Sequence, residues 1–275
     1  MRMEKRLTRQ GPRGRQSFTI TLPIEWVKQH HLDEKRMVDL CVVGNEIVLF
    51  SEKKDARAAV KIKDYADTLI KVLPSMYRAG VDEVCLTIDT FDKLGAVQDI
   101  IDKYLIGYEV VAQTKQQVVI KDITKESDED FMVIFRRIFL LLLELADAIS
   151  YEQASSIDKT IDKLINYCQR TLIKKGHPEY EKVPLYYLLL DRLEKLGDEY
   201  HYFHESSNDR SELKEVNNLL RHAYELFYKF DAAAFNKYCL ATHTLRKSRK
   251  NSLHVNNIAR ILNSVYGDIF ALKCK

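Results

Sequence analysis

The chain has 275 residues, of which 46% are hydrophobic and 30% charged, a balance typical of folded globular proteins that argues against intrinsic disorder. Its formal net charge is only +3, so a strongly basic segment is a local feature rather than a property of the whole chain. The five cysteines include no Cys-x-x-Cys pair, which argues against a structural zinc site or a disulfide framework.

The most apolar stretch, residues 131–149, is interrupted by arginines and acids, so we expect a buried helix there and no membrane insertion. No apolar run follows Met1, and therefore no secretory signal peptide is predicted. Scattered cysteines fit a reducing, cytoplasmic location. The length leaves room for two or three domains.

The first sixteen residues form a basic arm that leads directly into a patterned strand. Six of them are arginine or lysine, and one, Glu4, is acidic. Clustered positive charge attracts phosphate backbones because counterions are released when phosphates are neutralised. A solvated basic tail without a dedicated ligand is the alternative interpretation. The candidate DNA-binding residues are Lys5, Arg6, Arg9, Arg13 and Arg15.

Residues 17–52 contain short alternating segments of the kind that form half-buried strands. Pro23 stands at a predicted helix start, where its missing N–H costs no hydrogen bond. A unit of this size cannot cover both faces of its own sheet, so we expect it to intertwine with a second copy of the chain. The predicted elements are a strand at 17–22, a helix at 24–30, and a hairpin of strands 37–43 and 47–50 that turns at Gly44-Asn45.

The segment from Arg6 to Trp26 has the pattern Arg-x-x-x-x-Gly-x-x-Gly-x-x-Ser-Phe-Thr-Ile-Thr-Leu-Pro-x-x-Trp. It resembles the AbrB/SpoVT family of swapped-hairpin DNA-binding domains. The resemblance implies an obligate homodimer, a swapped-hairpin β-barrel, and an arginine-bearing face that docks on the DNA duplex. The family usually has Leu-x-x-Gly-Asp after its helix, whereas this chain has Leu32-Asp33-Glu34-Lys35-Arg36, so we expect a different turn there.

Residues 53–124 alternate between helical and strand patterns, which predicts a small two-layer α/β domain. Apolar residues at helical spacing predict a first helix over 58–77, and Ala79-Gly80 is typical of a helix end. The remaining predicted elements are a strand at 83–89, a helix at 94–104, and a hairpin of strands 108–111 and 117–120.

The rest of the chain has the apolar spacing of amphipathic helices throughout, which predicts antiparallel bundles joined by short turns. The predicted helices are 129–151, 154–174, 182–205, 210–229, 231–248 and 252–272. The three zones together predict an α+β, multi-domain fold. Its domains are 1–52, 53–124 and 125–275.

Two of these helices carry carboxylates four residues apart, Asp158 with Asp162 and Glu194 with Asp198. Residues at this spacing lie on one helical face, one turn from each other. Two such helices facing one another present four hard oxygen ligands to a cation. The alternative is a set of exposed acids that pair with lysines on the same helices. Those lysines are Lys159, Lys163 and Lys195.

The acidic segments 157–164 (Ile-Asp-Lys-Thr-Ile-Asp-Lys-Leu) and 191–198 (Asp-Arg-Leu-Glu-Lys-Leu-Gly-Asp) resemble the motifs of PhoU, a phosphate-signalling regulator built from three-helix repeats. The resemblance implies a divalent or iron-type metal ion. The ligands that it implies are Asp158, Asp162, Glu194 and Asp198. The corresponding segments of a second repeat keep a single acid, Asp268, so we expect one metal site only.

The order of the zones, swapped hairpin, small α/β domain and PhoU-like bundle, resembles a class of archaeal PhoU-like regulators. The resemblance implies a DNA-binding transcriptional regulator of phosphate uptake, which senses the phosphate state directly or through a phosphate-transporter ATPase or sensor kinase. The alternative is a signalling adaptor that uses its N-terminal domain only to dimerise. No nucleophile elbow, P-loop or dinucleotide-binding turn occurs, so no enzymatic activity is predicted.

Overall fold

A computed structural model describes residues 4–12, 16–43, 46–51, 57–61, 65, 68–87, 93–124, 131–206, 209–248 and 250–274. These residues form a mixed α+β structure in which helices predominate, with a small sheet and a helical C-terminal region. The chain divides into two compact units, residues 1–54 and 55–275.

The first unit contains two antiparallel hairpins with two short helices between them in sequence. The elements are β1 (Thr8–Gln10) paired with β2 (Ser17–Thr19), α1 (Ile24–Gln29), α2 (Leu32–Lys35), and β3 (Asp39–Val43) paired with β4 (Glu46–Phe50). The predicted helix after Pro23 and the second hairpin are confirmed, although the Gly44-Asn45 turn lies outside the described residues. The predicted strand 17–22 is too long, since its partner β1, which was not predicted, offers only three residues.

The two hairpins of this unit remain separate sheets. In the described residues no strand of one hairpin pairs with the other, so a single chain forms no closed barrel there. The segment that departs from the AbrB/SpoVT pattern forms α2, which is flanked by His31 and Arg36, both with φ of 52°. Two non-glycine residues in the left-handed region are uncommon, and they give this turn its own geometry.

The second unit begins with a four-stranded sheet of order β5-β6-β8-β7. The strands are β5 (Arg57–Lys61), β6 (Glu83–Thr87), β7 (Tyr108–Gln113) and β8 (Gln117–Asp122). β5 runs parallel to β6, and the other neighbours are antiparallel. The prediction of a helix over 58–77 is therefore wrong at its start. Residues 57–61 form a strand because β6 offers a backbone ladder, and tertiary pairing overrides the local helical spacing.

Helices α3 (Leu69–Arg78) and α4 (Lys93–Tyr104) share a core with β6 and β8, which confirms the two-layer α/β arrangement. The centre of that core includes Leu73, Leu86 and Val97, all fully buried. α3 ends as predicted at Ala79-Gly80, where Gly80 adopts a φ of 84° that a side chain would strain.

Six long helices complete the unit, as predicted. They are α5 (Phe131–Ala146), α6 (Tyr151–Lys175), α7 (Val183–Ser206), α8 (Lys214–Tyr228), α9 (Ala232–Leu245) and α10 (Leu253–Lys273). The first ends earlier than the predicted 129–151 because Ser150 starts α6, its hydroxyl accepting a hydrogen bond from the Gln153 N–H at 3.2 Å. Within the described ranges, none of the helices combines the length and apolarity that a bilayer-spanning segment requires.

Arg170 of α6 joins the helical region to the α/β layer. Its guanidinium donates to the backbone carbonyls of Tyr77 (2.9 Å) and Val81 (2.7 Å) and to the carboxylates of Asp82 (2.8 Å) and Asp122 (2.7 Å). The side chain is only 5% exposed. These contacts hold the end of α3 against α6, the helix that carries the first pair of predicted metal ligands.

Candidate functional site

Helices α6 and α7 pack together and bring three of the four predicted metal ligands to one place. Asp158, Asp162 and Asp198 each offer one carboxylate oxygen, and these oxygens lie within 4.8 Å of one another. Two ligands about 2.4 Å from one calcium-sized ion lie at most about 4.8 Å apart, so the three oxygens can share a single cation. Oxygen-only ligands of this kind suit hard cations.

Glu194, the fourth predicted ligand, lies one helical turn before Asp198 but is not part of this close group of oxygens. Its charge nevertheless acts on the group, because it contributes to the raised pKa values of Asp158 and Asp162. Burial, followed by the charge of Asp198, raises the pKa of Glu194 itself. Glu194 therefore belongs to the same patch of negative charge.

The carboxylate patch, formed by Asp158, Asp162, Glu194 and Asp198, is electrostatically unfavourable when all four carboxylates are charged. Burial, followed by the charge of Asp158, raises the pKa of Asp162 to about 8. Burial is also the main cause that raises the pKa of Asp158 to about 6, and likewise that of Asp198 to about 6. A bound cation would relieve both causes, since it replaces lost hydration and offsets the repulsion.

Asp158 has an oxygen with no protein partner. The residue is 8% exposed, and its Oδ1 is buried without a hydrogen bond. A buried carboxylate oxygen without a partner is costly unless something else satisfies it. This orphaned oxygen fits the metal ion that the PhoU resemblance implies, and the residues that would hold the ion are Asp158, Asp162 and Asp198, with Glu194 nearby.

Gly197 makes the close approach of α6 and α7 possible at this point. A Cβ added to Gly197 would lie 3.1 Å from Asp158 Oδ1 and 3.7 Å from a methyl carbon of Leu142. The first distance is tighter than ordinary van der Waals contact, so a side chain here would displace the carboxylate.

We expect Gly197→Ala to weaken binding of Mn²⁺ by about tenfold, because the added methyl group pushes Asp158 out of line with the other two aspartates. Isothermal titration calorimetry measures the affinity directly. The matched control is Gly267→Ala on α10, where an added Cβ meets nothing within 4 Å. Equal Mn²⁺ affinities for both variants and the unmodified chain would contradict this role for Gly197.

Two of the three lysines that were considered as partners of the acids have other partners. Lys163 donates to the backbone carbonyl of Asp102 at 2.7 Å, and Lys195 pairs with Asp191 at 2.5 Å. In the part of the chain that the structure describes, no lysine or arginine nitrogen lies within 4.0 Å of the four predicted ligand carboxylates. The structure therefore disfavours the alternative of acids neutralised by local lysines.

Three neighbours of the patch were not predicted from the sequence. Arg78 donates to the Asn166 side chain at 3.4 Å, and its charge opposes the rise in the pKa of Asp162. Burial, followed by the charge of Asp162, raises the pKa of Tyr104. The His201 Nδ1 lies 3.8 Å from Asp158 Oδ2. Of these three residues, only His201 could have been placed near the patch from the sequence, because it follows Asp198 by three residues and thus lies on the same helical face.

Asp268, the single acid of the segment compared with a second PhoU repeat, is paired within the protein. The carboxylate of Asp268 on α10 lies 2.6 Å from the guanidinium Nε of Arg192 on α7. A protein cation thus occupies the position beside this carboxylate.

The predicted DNA-binding residues lie in the first unit, where the structure describes three of them. Lys5 and Arg6 are exposed and precede β1. Arg9 lies opposite Phe18 in the hairpin register, and its guanidinium donates to the Gln16 side chain. Arg13 and Arg15 fall outside the described residues.

In the first unit, many of the apolar side chains that the structure describes are exposed. Among the residues of this unit whose side-chain burial the structure describes, Leu32 is the only buried one. Phe18 is 64% exposed and Ile47 is 65% exposed, although both lie in strands. The other exposed large apolar residues of this unit are Leu7, Ile20, Ile24, Met37, Val38, Leu40 and Val42.

Comparison with known protein families, with curated proteins and with solved structures finds no match to this chain. The geometry of the two units therefore carries the functional conclusion.

Proposed function

We propose that this chain is a cation-responsive, DNA-binding transcriptional regulator that acts as a homodimer. The first unit would bind duplex DNA through its basic arm, and the second would hold one divalent or iron-type cation between α6 and α7. The observation that carries the proposal is the convergence of Asp158, Asp162 and Asp198, with a buried oxygen of Asp158 left unsatisfied.

The cation part is supported by the chemistry of the donors. The three aspartates offer oxygens only, which suits a hard divalent cation, and the raised pKa values show that the folded chain disfavours their combined charge. When bound, the cation would supply positive charge and directed coordination. Asp158, Asp162 and Asp198 would provide ligand oxygens, and Glu194 would add negative charge beside them.

The homodimer part is supported by the exposed apolar residues of the first unit. Monomeric proteins rarely expose many large apolar residues close together, and isolated two-stranded hairpins are only marginally stable. A second copy of the same unit would cover both hairpins and close the swapped-hairpin barrel that the AbrB/SpoVT resemblance implies. The paired copies would also bring two basic arms together, which strengthens binding to a continuous phosphate backbone.

Within the second unit, the cation would act on α3. Arg78 at the end of α3 stands beside the carboxylate patch, and its charge favours the ionised forms of Asp162 and Glu194. A cation would replace Arg78 in that role and loosen the hold of α3 on α6. From the PhoU resemblance, the regulated process would be phosphate uptake, with a transporter ATPase or a sensor kinase as a further partner.

Fluorescence anisotropy with a random-sequence duplex, from about 50 to 200 mM salt, tests the DNA-binding part. We expect binding to weaken steeply with salt, and the slope of log affinity against log salt to fall by about 1 for each arginine removed in Arg13→Ala/Arg15→Ala. The control variant Lys103→Ala/Lys115→Ala removes the same charge from the α/β layer and should keep the full slope. Addition of Mn²⁺ should change the affinity of the unmodified chain but not that of Asp162→Asn.

Each outcome has a clear meaning. Weak binding that does not depend on salt would overturn the transcription-factor proposal and leave the adaptor, in which the first unit only dimerises. Strong binding that Mn²⁺ leaves unchanged would reject the coupling between cation and DNA while retaining DNA binding.

A further inference from the structure

A groove in the helical region lies away from the carboxylate patch, on α5, α8 and α9. Its volume is about 650 Å³, which is within the range of small-molecule sites. Its walls include Arg136 of α5, His222, Tyr224 and Tyr228 of α8, and Tyr238 of α9. Aromatic rings and one arginine thus face the same space.

Arg136 is oriented by tyrosines rather than neutralised by an acid. Its Nε donates to the hydroxyl of Tyr224 at 3.2 Å, and its guanidinium carbon lies 5.7 Å from the ring centroid of Tyr228. Among the described residues, no carboxylate oxygen approaches its guanidinium within 4.0 Å. The charge and the terminal N–H groups of Arg136 therefore remain available to an anion.

The two acids on the groove already have partners. A carboxylate oxygen of Glu225 lies 3.0 Å from His222 Nδ1. Asp231 caps α9 by accepting a hydrogen bond from the Ala234 N–H at 2.7 Å. Neither carboxylate is paired with Arg136 or with Lys229, the second cation on the groove, within the described ranges. The two carboxylates therefore do not occupy the guanidinium of Arg136 or the ammonium of Lys229, which leaves both cationic groups to a ligand.

The aromatic walls offer flat surfaces. His222 stacks on Tyr238 with ring centroids 3.7 Å apart and an interplanar angle of 18°. The ring centroids of Tyr224 and Tyr228 lie 5.1 Å apart, and the side chain of Tyr228 is 44% exposed. Exposed aromatic faces stack with planar rings, and the adjacent arginine can bind a phosphate or carboxylate bidentately.

We propose that this groove binds a planar aromatic ring that carries an anionic group, phosphate or carboxylate. The ring would lie against Tyr228 and the His222–Tyr238 pair, while the anion would reach the guanidinium of Arg136 and the ammonium of Lys229. Both a nucleoside monophosphate and an aromatic carboxylate have this chemistry, and both fit the volume. The site does not depend on the proposed cation or DNA functions, since it uses neither the carboxylate patch nor the basic arm.

Isothermal titration calorimetry with AMP, adenosine, inorganic phosphate and 4-hydroxybenzoate tests the proposal on the full chain. We expect AMP or 4-hydroxybenzoate to bind, and adenosine and phosphate, which each carry half of the chemistry, to bind at least about tenfold more weakly. The better of the two anions distinguishes a nucleotide from a carboxylate ligand.

Arg136→Gln should weaken the better ligand by about tenfold or more, because it removes the charged fork. Tyr228→Leu should weaken it independently by removing a stacking face. The matched control, Arg137→Gln, changes the same charge on the next residue of α5, which is exposed and does not line the groove. Circular dichroism establishes that each variant is folded.

The proposal is overturned if neither AMP nor 4-hydroxybenzoate binds at about 1 mM, or if Arg136→Gln and Arg137→Gln have the same effect. Because Mn²⁺ and DNA binding are measured separately, a failure here leaves the proposed function standing, and the reverse also holds.

Discussion

Replacing Arg170 with methionine is expected to lower the free energy of unfolding by about 3–5 kcal/mol. The guanidinium donates to two carbonyls and two carboxylates while only 5% exposed, and methionine offers no donor. Asp82 would keep its contact with Lys174, whereas Asp122 would remain as a nearly buried charge without the guanidinium. Losing one partner of a buried pair costs more than the pair contributes, because the other charge stays desolvated.

Urea unfolding followed by circular dichroism measures this effect. Arg170→Lys should lie between the methionine variant and the unmodified chain, because lysine keeps the charge but cannot form the same set of directed hydrogen bonds. Arg137→Met, at an exposed position of α5, serves as the control. A change of less than about 0.5 kcal/mol for Arg170→Met, the size expected of a surface substitution, would contradict the role assigned to Arg170.

Without added metal, the folded chain is expected to lose stability as the pH rises from about 4 to about 8. Below this window the carboxyl of Asp162 is protonated in both the folded and the unfolded chain. Within it, the unfolded chain releases the proton while burial holds the pKa of the folded Asp162 at about 8. The folded state then binds more protons than the unfolded state, so stability falls with pH. Once the pH exceeds the pKa of Asp162 in the folded chain, the loss of stability stays constant. Asp158 and Asp198, with pKa values of about 6, add to the fall in its lower part.

Chemical denaturation at pH 5, 6, 7 and 8 in the presence of EDTA tests the direction of this slope. Asp162→Asn should raise the free energy of unfolding at pH 8 by about 1–3 kcal/mol, because it removes a charge that burial disfavours. At pH 4 the same variant should have little effect. Added Mn²⁺ should stabilise the unmodified chain most strongly at pH 8, where protons no longer compete for the aspartates, and should stabilise Asp162→Asn much less.

Asp191→Asn is the matched control, because Asp191 is also an aspartate of the α6–α7 pair but pairs with Lys195 outside the cluster. A free energy of unfolding that rises with pH across the window would contradict the assignment. So would identical behaviour of Asp162→Asn and Asp191→Asn, since the effect would then be one of net charge alone.

The helical half of the chain shows how much of the structure local sequence determines. Apolar residues at helical spacing predicted all six long helices, because burial of one helical face depends on neighbours three and four residues away. Element ends were less well predicted. The first of these helices ends at Ala146 rather than at the predicted residue 151, and Ser150 is the N-cap of the next helix.

The α/β layer shows the opposite case. Residues 57–61 have an apolar spacing compatible with a helix, yet they form a strand parallel to β6. Their partner lies beyond α3 in sequence, so its ladder of hydrogen bonds is invisible to local periodicity. The hairpin of β7 and β8 was predicted correctly because its two strands are adjacent in the chain and connected by a short turn.

The carboxylate patch combines both kinds of information. The spacing of Asp158 and Asp162, and of Glu194 and Asp198, placed each pair on one helical face from the sequence alone. Only the packing of α6 on α7 decided that three of the four have oxygens close enough to share an ion while Glu194 stands apart. Gly197 permits that packing, although its importance appears only when the opposing helix is known.

The sequence by itself therefore determined the six long helices, the second hairpin and the helical faces that carry the acids, because each depends on residues that are near one another in the chain. Tertiary structure alone decided the strand at 57–61, the partners of Arg170, the presence of Arg78 beside the patch, and the groove around Arg136. These features join residues that are distant in sequence, and the free energy that selects them comes from burial and pairing between elements rather than from any local preference.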